Sequence, residues 1–329
     1  MQTLTPTDLD DYRALTTACG LVDLTSLRSR VELSGDDRHA FLHNFCTNDI
    51  RGLAEGAGCE AFLLDAKGHV LFYVFAWRTA ERLLVELSAG RGAVLVQHLD
   101  KYLIREKVKL RDVTDETREL LVAGPQSAAM LQEVLGIEAP TNPQANVVTS
   151  DGVIVVRSEW TPEPNWVLVG PATAIDAICA KLNAAGARSC APAALETLRI
   201  EAGLPLDGLD MSDKNLAQEI DRNERTLHFR KGCYLGQETV ARLDALGHVN
   251  KRLLGVKFTA IDPATPLDAG AALSVGGQTV GTISSAAFSP RLGAWVALAY
   301  IREGSSAAGT KLDTPHGPAE VATLPLIAS

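Results

Sequence analysis

"HFRKGCYLGQETVAR", His228–Arg242, separates two textures of the chain. Upstream of it, apolar runs alternate between strand and helix spacing. Downstream, from about Arg252, they shorten into strands parted by glycine turns. The stretch packs a lysine, a thiol, two glycines and an amide–acid pair against a helical run, "QETVARLDAL". The free N–H groups opening such a helix suit an anion. Lys231 beside Cys233, with the helix start a few residues on, favours thiolate. Gly232 and Gly236 permit positive φ or close backbone approach, and Tyr234 offers a ring for stacking. The pattern is neither a Walker A loop nor GxGxxG.

Working downstream, "LLGVKF", "QTVGTISSAAF", "AWVALAYI" and "AEVATLPL" are short strands with turns at Gly270, Gly276–Gly277, Gly293 and Gly304. Almost no helical spacing interrupts them, which predicts an antiparallel β-barrel over residues 251–329. "GSSAAG" is expected to cap one of its hairpins. Working upstream, "RVELSGDDRHAFLHNFCTND" predicts a strand and then a helix with Ser34 as N-cap and Phe41, Leu42 and Phe45 as its apolar face. "EAFLLDAKGHVLFYVFAW" predicts a hairpin turning at Ala66–Gly68. "RLLVELS", "GRGAVLVQHLDKYL" and "KVKLRDVT" follow as strand, helix and strand. The pattern restarts at "ELLVAGPQSAAMLQEVLG", with strands at "GVIVVRS" and "NWVLVG" and a helix in "TAIDAICAKLNAAG". The expected fold is α+β: two ferredoxin-like α/β subdomains, residues 1–120 and 121–250, with largely antiparallel sheets, ahead of the barrel. The restart hints at a duplication.

"APAALETLRIEAGLPLDG" predicts a helix with Leu195, Leu198 and Ala202 on one face, Gly203 at the left-handed C′ position and Pro205 beyond it. Glu201 then falls in the last turn, where the helix dipole disfavours a carboxylate by a few tenths to about 1 kcal/mol. A surface salt bridge, to Arg199 or an arginine of the next loop, and a ligand contact are equal explanations. Arg222, Arg225, Arg230, Lys231, Arg242, Lys251 and Arg252 crowd around the opening motif. They form either a solvated charged face or a pocket for an anionic ligand.

At 329 residues the chain is long enough for two or three domains, and 46% apolar with 22% charged residues is an ordinary globular balance. The start has neither a basic n-region nor an apolar h-region, and no apolar run approaches the roughly 20 residues that span a bilayer. A cytoplasmic protein with no membrane partner is expected. A net charge of −9 argues against direct nucleic-acid binding. The six cysteines include no CxxC pair, so neither a zinc ribbon nor a disulfide framework is suggested and no metal ligands are named.

With these residues in hand, "RKGCYLGQETVAR", "LETLRIEAGLP" and the following "NKR" resemble the YgfZ family of folate-binding proteins. That family's K-G-C-[YF]-x-G-Q-E stretch is matched at every specified position from Lys231 to Glu238. The N-terminal stretch "GLVDLTSLRSRVELSGDDRHAFLHNFCTND" and the barrel resemble the tetrahydrofolate-dependent aminomethyltransferases of the glycine cleavage system. The resemblance implies a three-part ring around a central folate channel, a reduced folate such as tetrahydrofolate as cofactor, and a role in iron–sulfur cluster assembly or repair and linked tRNA modification. Iron–sulfur enzymes or assembly factors would be the partners. It implies Cys233 and Lys231 as the functional pair and Glu201 on the pterin, with Arg199, Gly232, Tyr234, Gly236, Gln237, Glu238 and Arg242 as further folate-site residues. Where the aminomethyltransferases carry paired acids, this chain has Phe72 and Tyr73, and Gln237 replaces an arginine. The implied protein is therefore not a standard aminomethyltransferase. The alternative is a tetrahydrofolate-dependent aminomethyl- or methyltransferase with Asp65 or Asp49 supplying the acid.

Overall fold

Pro6 presets the first helical turn and Thr5 caps it. The Thr5 hydroxyl accepts from the Asp8 N–H, and the Asp8 carboxylate accepts from the Thr5 N–H, forming a capping box at α1 (Pro6–Thr17). In this computed structural model, which describes residues 5–259, 261–262 and 265–328, α1 leads into β1 (Gly20–Asp23). The next elements are β2 (Arg28–Ser34), α2 (Arg38–His43), β3 (Gly58–Leu64), β4 (Val70–Arg78), β5 (Leu83–Ser88), α3 (Gly92–Asp100) and β6 (Lys109–Asp112). Their strands form an antiparallel sheet in the order β3-β4-β5-β2-β6.

The succession then repeats as β7 (Thr117–Ala123), α4 (Ser127–Leu135), β8 (Asn146–Val148), β9 (Ile154–Ser158), β10 (Asn165–Pro171), α5 (Ala172–Ala184) and β11 (Arg188–Cys190). The second sheet runs β11-β1-β7-β10-β9-β8. Element for element this is the first sheet's order, with β1 added between β7 and β11. β1 pairs antiparallel with β7 and parallel with β11. β1, ahead of β2 in the chain, therefore belongs to the second sheet.

α6 (Pro192–Ala202) ends at Gly203 with φ 72°, as its sequence predicts. A largely irregular connector carries α7 (Asn223–Thr226) and reaches α8 (Gln237–Leu246). The strands β12 (Lys251–Phe258), β13 (Ala272–Val275), β14 (Gln278–Ser289), β15 (Ala294–Arg302), β16 (Lys311–Thr314) and β17 (Gly317–Ala322) close a barrel in the order β12-β15-β14-β13-β16-β17. Closure leaves no open edge. Two local expectations fail. "GSSAAG" caps no hairpin, since it joins β15 to β16, which are not neighbours. Ser34 ends β2 rather than capping α2: Gly35 turns the chain at φ 99°, and Asp37 stands at the N-cap.

Strand alternation sorts the cores. On β4, Phe72, Val74 and Ala76 join Phe41, Leu42, Leu95 and Leu99 beneath α2 and α3. Tyr73, Phe75 and Trp77 face the other way, into a central core shared with Leu121, Ile154 and Val167 of the second sheet and Leu253 and Val296 of the barrel. Full burial of each large apolar side chain contributes roughly 1.5–3 kcal/mol. The three parts thus form a ring packed around one common core.

Candidate functional site at the three-part junction

Glu201 lies where all three parts meet. It is 0% exposed, so the surface salt bridge is ruled out, and Arg199 is not its partner. Its Oε1 accepts from the Tyr12 hydroxyl of α1 at 2.8 Å and from the Ser289 hydroxyl of the barrel at 2.6 Å. Arg291 Nη2 pairs with Oε2 at 2.9 Å, and Arg291 also holds Glu163. Burial raises the Glu201 carboxyl pKa, while the Ser289 hydrogen bond and Arg291 restrain the shift. Arg199, two residues earlier, is fully engaged by Glu196, by Asp210 at 2.8 Å and by the Leu204 carbonyl.

A second polar cluster was not foreseen. Glu60 on β3 is buried and accepts two guanidinium N–H bonds from Arg222, at 2.7 and 2.9 Å, as well as the Tyr73 hydroxyl. Arg225 pairs with Glu159 and approaches Glu60 at 3.6 Å. The signal was present in "GCEAFLL", where one carboxylate interrupts an apolar strand on the face opposite Ala61 and Leu63. Deeper still, Arg28 pairs with Glu86, and Arg30 with Glu119 at 3.1 Å, all four being almost wholly buried. Arg28 also stacks over Phe75 and Trp160. These charges leave little space at the ring centre: the void among Glu60, Phe75, Glu86 and Trp160 measures about 10 Å³, room for one water.

In the "KGCYLGQE" stretch, Lys231 and Cys233 part company. Lys231 is buried, and its ammonium donates to the carbonyls of His43, Cys46 and Asn48, the last two at 2.6 and 2.9 Å. It also sits 4.9 Å over the Tyr234 ring. Burial lowers its pKa, and the titratable groups that act on it include Cys46, Asp49 and Cys59 rather than Cys233. Cys233 is exposed and unpaired with any other cysteine. Tyr234 is buried in the central core, and burial pushes its hydroxyl up to about 12. Gly236 needs to be glycine: its φ is 84°, and a Cβ would meet the Asp65 carbonyl at 2.6 Å. Gly232 has neither constraint. Gln237 opens α8, and Glu238 and Arg242 are exposed along it. Among the described residues, no hydrogen bond or ion pair joins this stretch to Glu201.

The cationic crowd is mostly neutralised by acids distant in sequence. Lys251 approaches Glu219 at 3.7 Å, and Arg252 pairs with Glu303 at 3.0 Å, in addition to the Arg222 and Arg225 pairs. Of the alternative acids, Asp49 is held below the ordinary carboxylate range by the Gly52 N–H and pairs with His43. Asp65 is tied into its own turn by the N–H groups of Lys67 and His69. Beside Glu201, Ala202 and Gly203 line a cleft of about 600 Å³ together with Arg157, Arg222, Arg225 and the apolar Ile220, Leu324 and Ile327. Among the described residues, no group of three His, Cys, Asp or Glu side chains is set to hold a metal ion. No helix there is long and apolar enough to cross a membrane.

Residues 2–223 match the GCVT N-terminal domain, and residues 251–327 match the glycine cleavage T-protein C-terminal barrel domain. A chloroplastic putative transferase of Arabidopsis thaliana is 29% identical over 88% of this chain and 66% of its own length. An aminomethyltransferase of Rubrobacter xylanophilus is 28% identical over 88% of this chain and 78% of its own. The crystal structure of the glycine cleavage system aminomethyltransferase T from Bartonella henselae is 22% identical and shares the fold, with a TM-score of 0.88 over 99% of this chain and 91% of that one. A continuous match over the two sheets, followed by a second over the closed barrel, shows that the chain belongs to the glycine cleavage T-protein (GCVT) family.

Proposed function

We propose that this protein binds a reduced folate, with tetrahydrofolate as the reference form, and acts in the YgfZ manner to assist assembly or repair of iron–sulfur enzymes and linked tRNA modification. The observation that carries the reading is the 600 Å³ cleft beside Glu201, whose size lies within the range of cofactor sites. Its apolar wall of Ile220, Leu324 and Ile327 suits the flat rings, and Arg157 and Arg225 at its polar side suit the glutamate tail. Glu201 receives the pterin when Arg291, the partly exposed member of its cluster, moves aside. Gly236 and Tyr234 hold the turn that opens α8, which carries Gln237, Glu238 and Arg242, and Arg199 fixes α6 from behind. Lys231 ties that turn to the first subdomain, leaving Cys233 free to act as the functional thiol.

Isothermal titration with tetrahydrofolate tests the binding step. Saturable heat in the wild type, weakened at least tenfold in Glu201→Gln, is expected, and a wild type that gives no heat sinks the reading. Cys233→Ala is expected to fold and bind folate normally yet fail to restore iron–sulfur enzyme activity in a YgfZ-deficient cell. Full rescue removes the thiol from the proposal. The second reading is folate-dependent aminomethyl transfer, favoured by the buried Glu60 carboxylate at the Tyr73 hydroxyl. Formation of methylene-tetrahydrofolate from an aminomethyl donor, lost in Glu60→Gln, selects it.

A further inference from the structure

The last barrel strand, β17, ends at Ala322, and from there the chain crosses to the C-terminal end of α6. The last carbonyls of a helix have no intrahelical partner. Gly203 and Leu204 donate back to the Arg199 and Ile200 carbonyls, which leaves that of Glu201 open. It accepts from the Leu326 N–H at 2.8 Å and from the Ile327 N–H at 3.3 Å. Two glycines make room for the crossing. A Cβ on Gly203 would stand 3.0 Å from Leu324 Cβ, and one on Gly255 would stand 2.7 Å from Leu326 Cδ2. Leu324 and Leu326 thereby pack on the edge of the central core, while Leu324, Pro325 and Ile327 wall the 600 Å³ cleft.

We propose that residues 323–327 are a strap that closes over a folate in this cleft and governs its release. The proposal rests on the folate reading above and adds a moving part to it. Two hydrogen bonds to one carbonyl and two half-buried leucines hold the strap, and Thr323 and Pro325 are exposed. A segment with so few buried contacts opens at lower cost than the barrel strand it leaves. A ligand that touches Leu324, Pro325 and Ile327 does so only when the strap is docked, so it draws the population to the docked form. Glu201 joins the two events, because its carboxylate receives the pterin and its carbonyl anchors the strap. The strap itself carries no charge. The ionic groups of the cleft, Arg157, Glu159, Asp221, Arg222, Glu224 and Arg225, all stand on other segments. Closure therefore adds apolar cover and leaves the glutamate tail to the other walls.

Hydrogen exchange on the full chain reads the strap, and calorimetry with stopped-flow release reads the ligand. Saturating tetrahydrofolate is expected to slow exchange of the Leu326 and Ile327 amides at least tenfold. Gly255→Ala and Leu326→Ala loosen the strap from outside the cleft lining, the first by crowding Leu326 and the second by deleting its packing. Each is expected to speed exchange of those amides without ligand and to weaken tetrahydrofolate at least tenfold, through faster release. The leucine variant covers the case in which the glycine variant disturbs β12. Wild-type binding that leaves the two amides unprotected overturns the strap and spares the folate reading. Wild-type affinity in a variant whose strap exchanges freely does the same. A wild type that binds no tetrahydrofolate overturns both together.

Discussion

On its inner face the first sheet carries Arg28, Arg30, Glu60, Tyr73 and Glu86, whereas the second presents Val22, Leu121, Ile154, Val156 and Val167, with Glu119 as the charged exception. Yet the two sheets are built from the same succession of elements in the same spatial order. One half of a repeated scaffold holds the chemistry and the other supplies the apolar wall. That wall excludes water, which strengthens every charge interaction opposite it and makes each unpaired charge costly. The pairs Arg28–Glu86, Arg30–Glu119 and Arg222–Glu60 are the consequence.

The contrast can be broken most directly at Arg30, which bridges the sheets. Arg30→Met leaves Glu119 buried and unpaired and is expected to cost about 3–5 kcal/mol in urea unfolding, most of it recovered in Arg30→Met/Glu119→Leu. If the double variant is no better than the single, the pair is not the bridge. Next in size, Tyr73→Phe removes a hydrogen bond to a buried carboxylate and is expected to cost roughly 1.5–3 kcal/mol by the same measurement. On the apolar wall, Ile154→Val is expected to cost only about 0.5–1.5 kcal/mol and to leave folate titration unchanged. A binding loss there would mean that the second sheet also contributes specific chemistry.

The smallest effect is a slope. Because the folded-state pKa of Glu201 is raised, the folded protein holds this proton more tightly than the unfolded chain. Stability from this group is therefore present below the unfolded value near 4.5 and lost as pH rises through the higher folded value. Unfolding curves across that window should fall more steeply with pH in the wild type than in Glu201→Gln, and parallel curves would place the raised pKa elsewhere.

Much of the fold was legible because its signals are local. The strand alternation, the helix ending at Gly203 and the glycine-parted barrel strands all follow from neighbours in sequence. The pairing of β1 was not, since its partners β7 and β11 lie far along the chain and four residues carry no mark of their sheet. At the site, Glu201 was singled out by its poor position at a helix end, but its partners Tyr12, Ser289 and Arg291 come from opposite ends of the chain. The cationic crowd looked uncompensated only because Glu60, Glu159 and Glu303 are remote in sequence. The separation of Lys231 from Cys233 has a different cause. Two residues apart in an irregular segment, the side chains point to separate environments, and three backbone carbonyls claim the ammonium.

The placement of β1 has a consequence for synthesis. Emerging from the ribosome before either partner, it waits with unpaired backbone until β7 appears, and its other edge stays open until Arg188–Cys190 has been made. Long-range pairing of this kind folds slowly and exposes a sticky strand meanwhile. The nascent chain can complete its first sheet alone, but its second sheet closes only after β1 has been retained until Arg188–Cys190 is made, the interval in which a chaperone would find it.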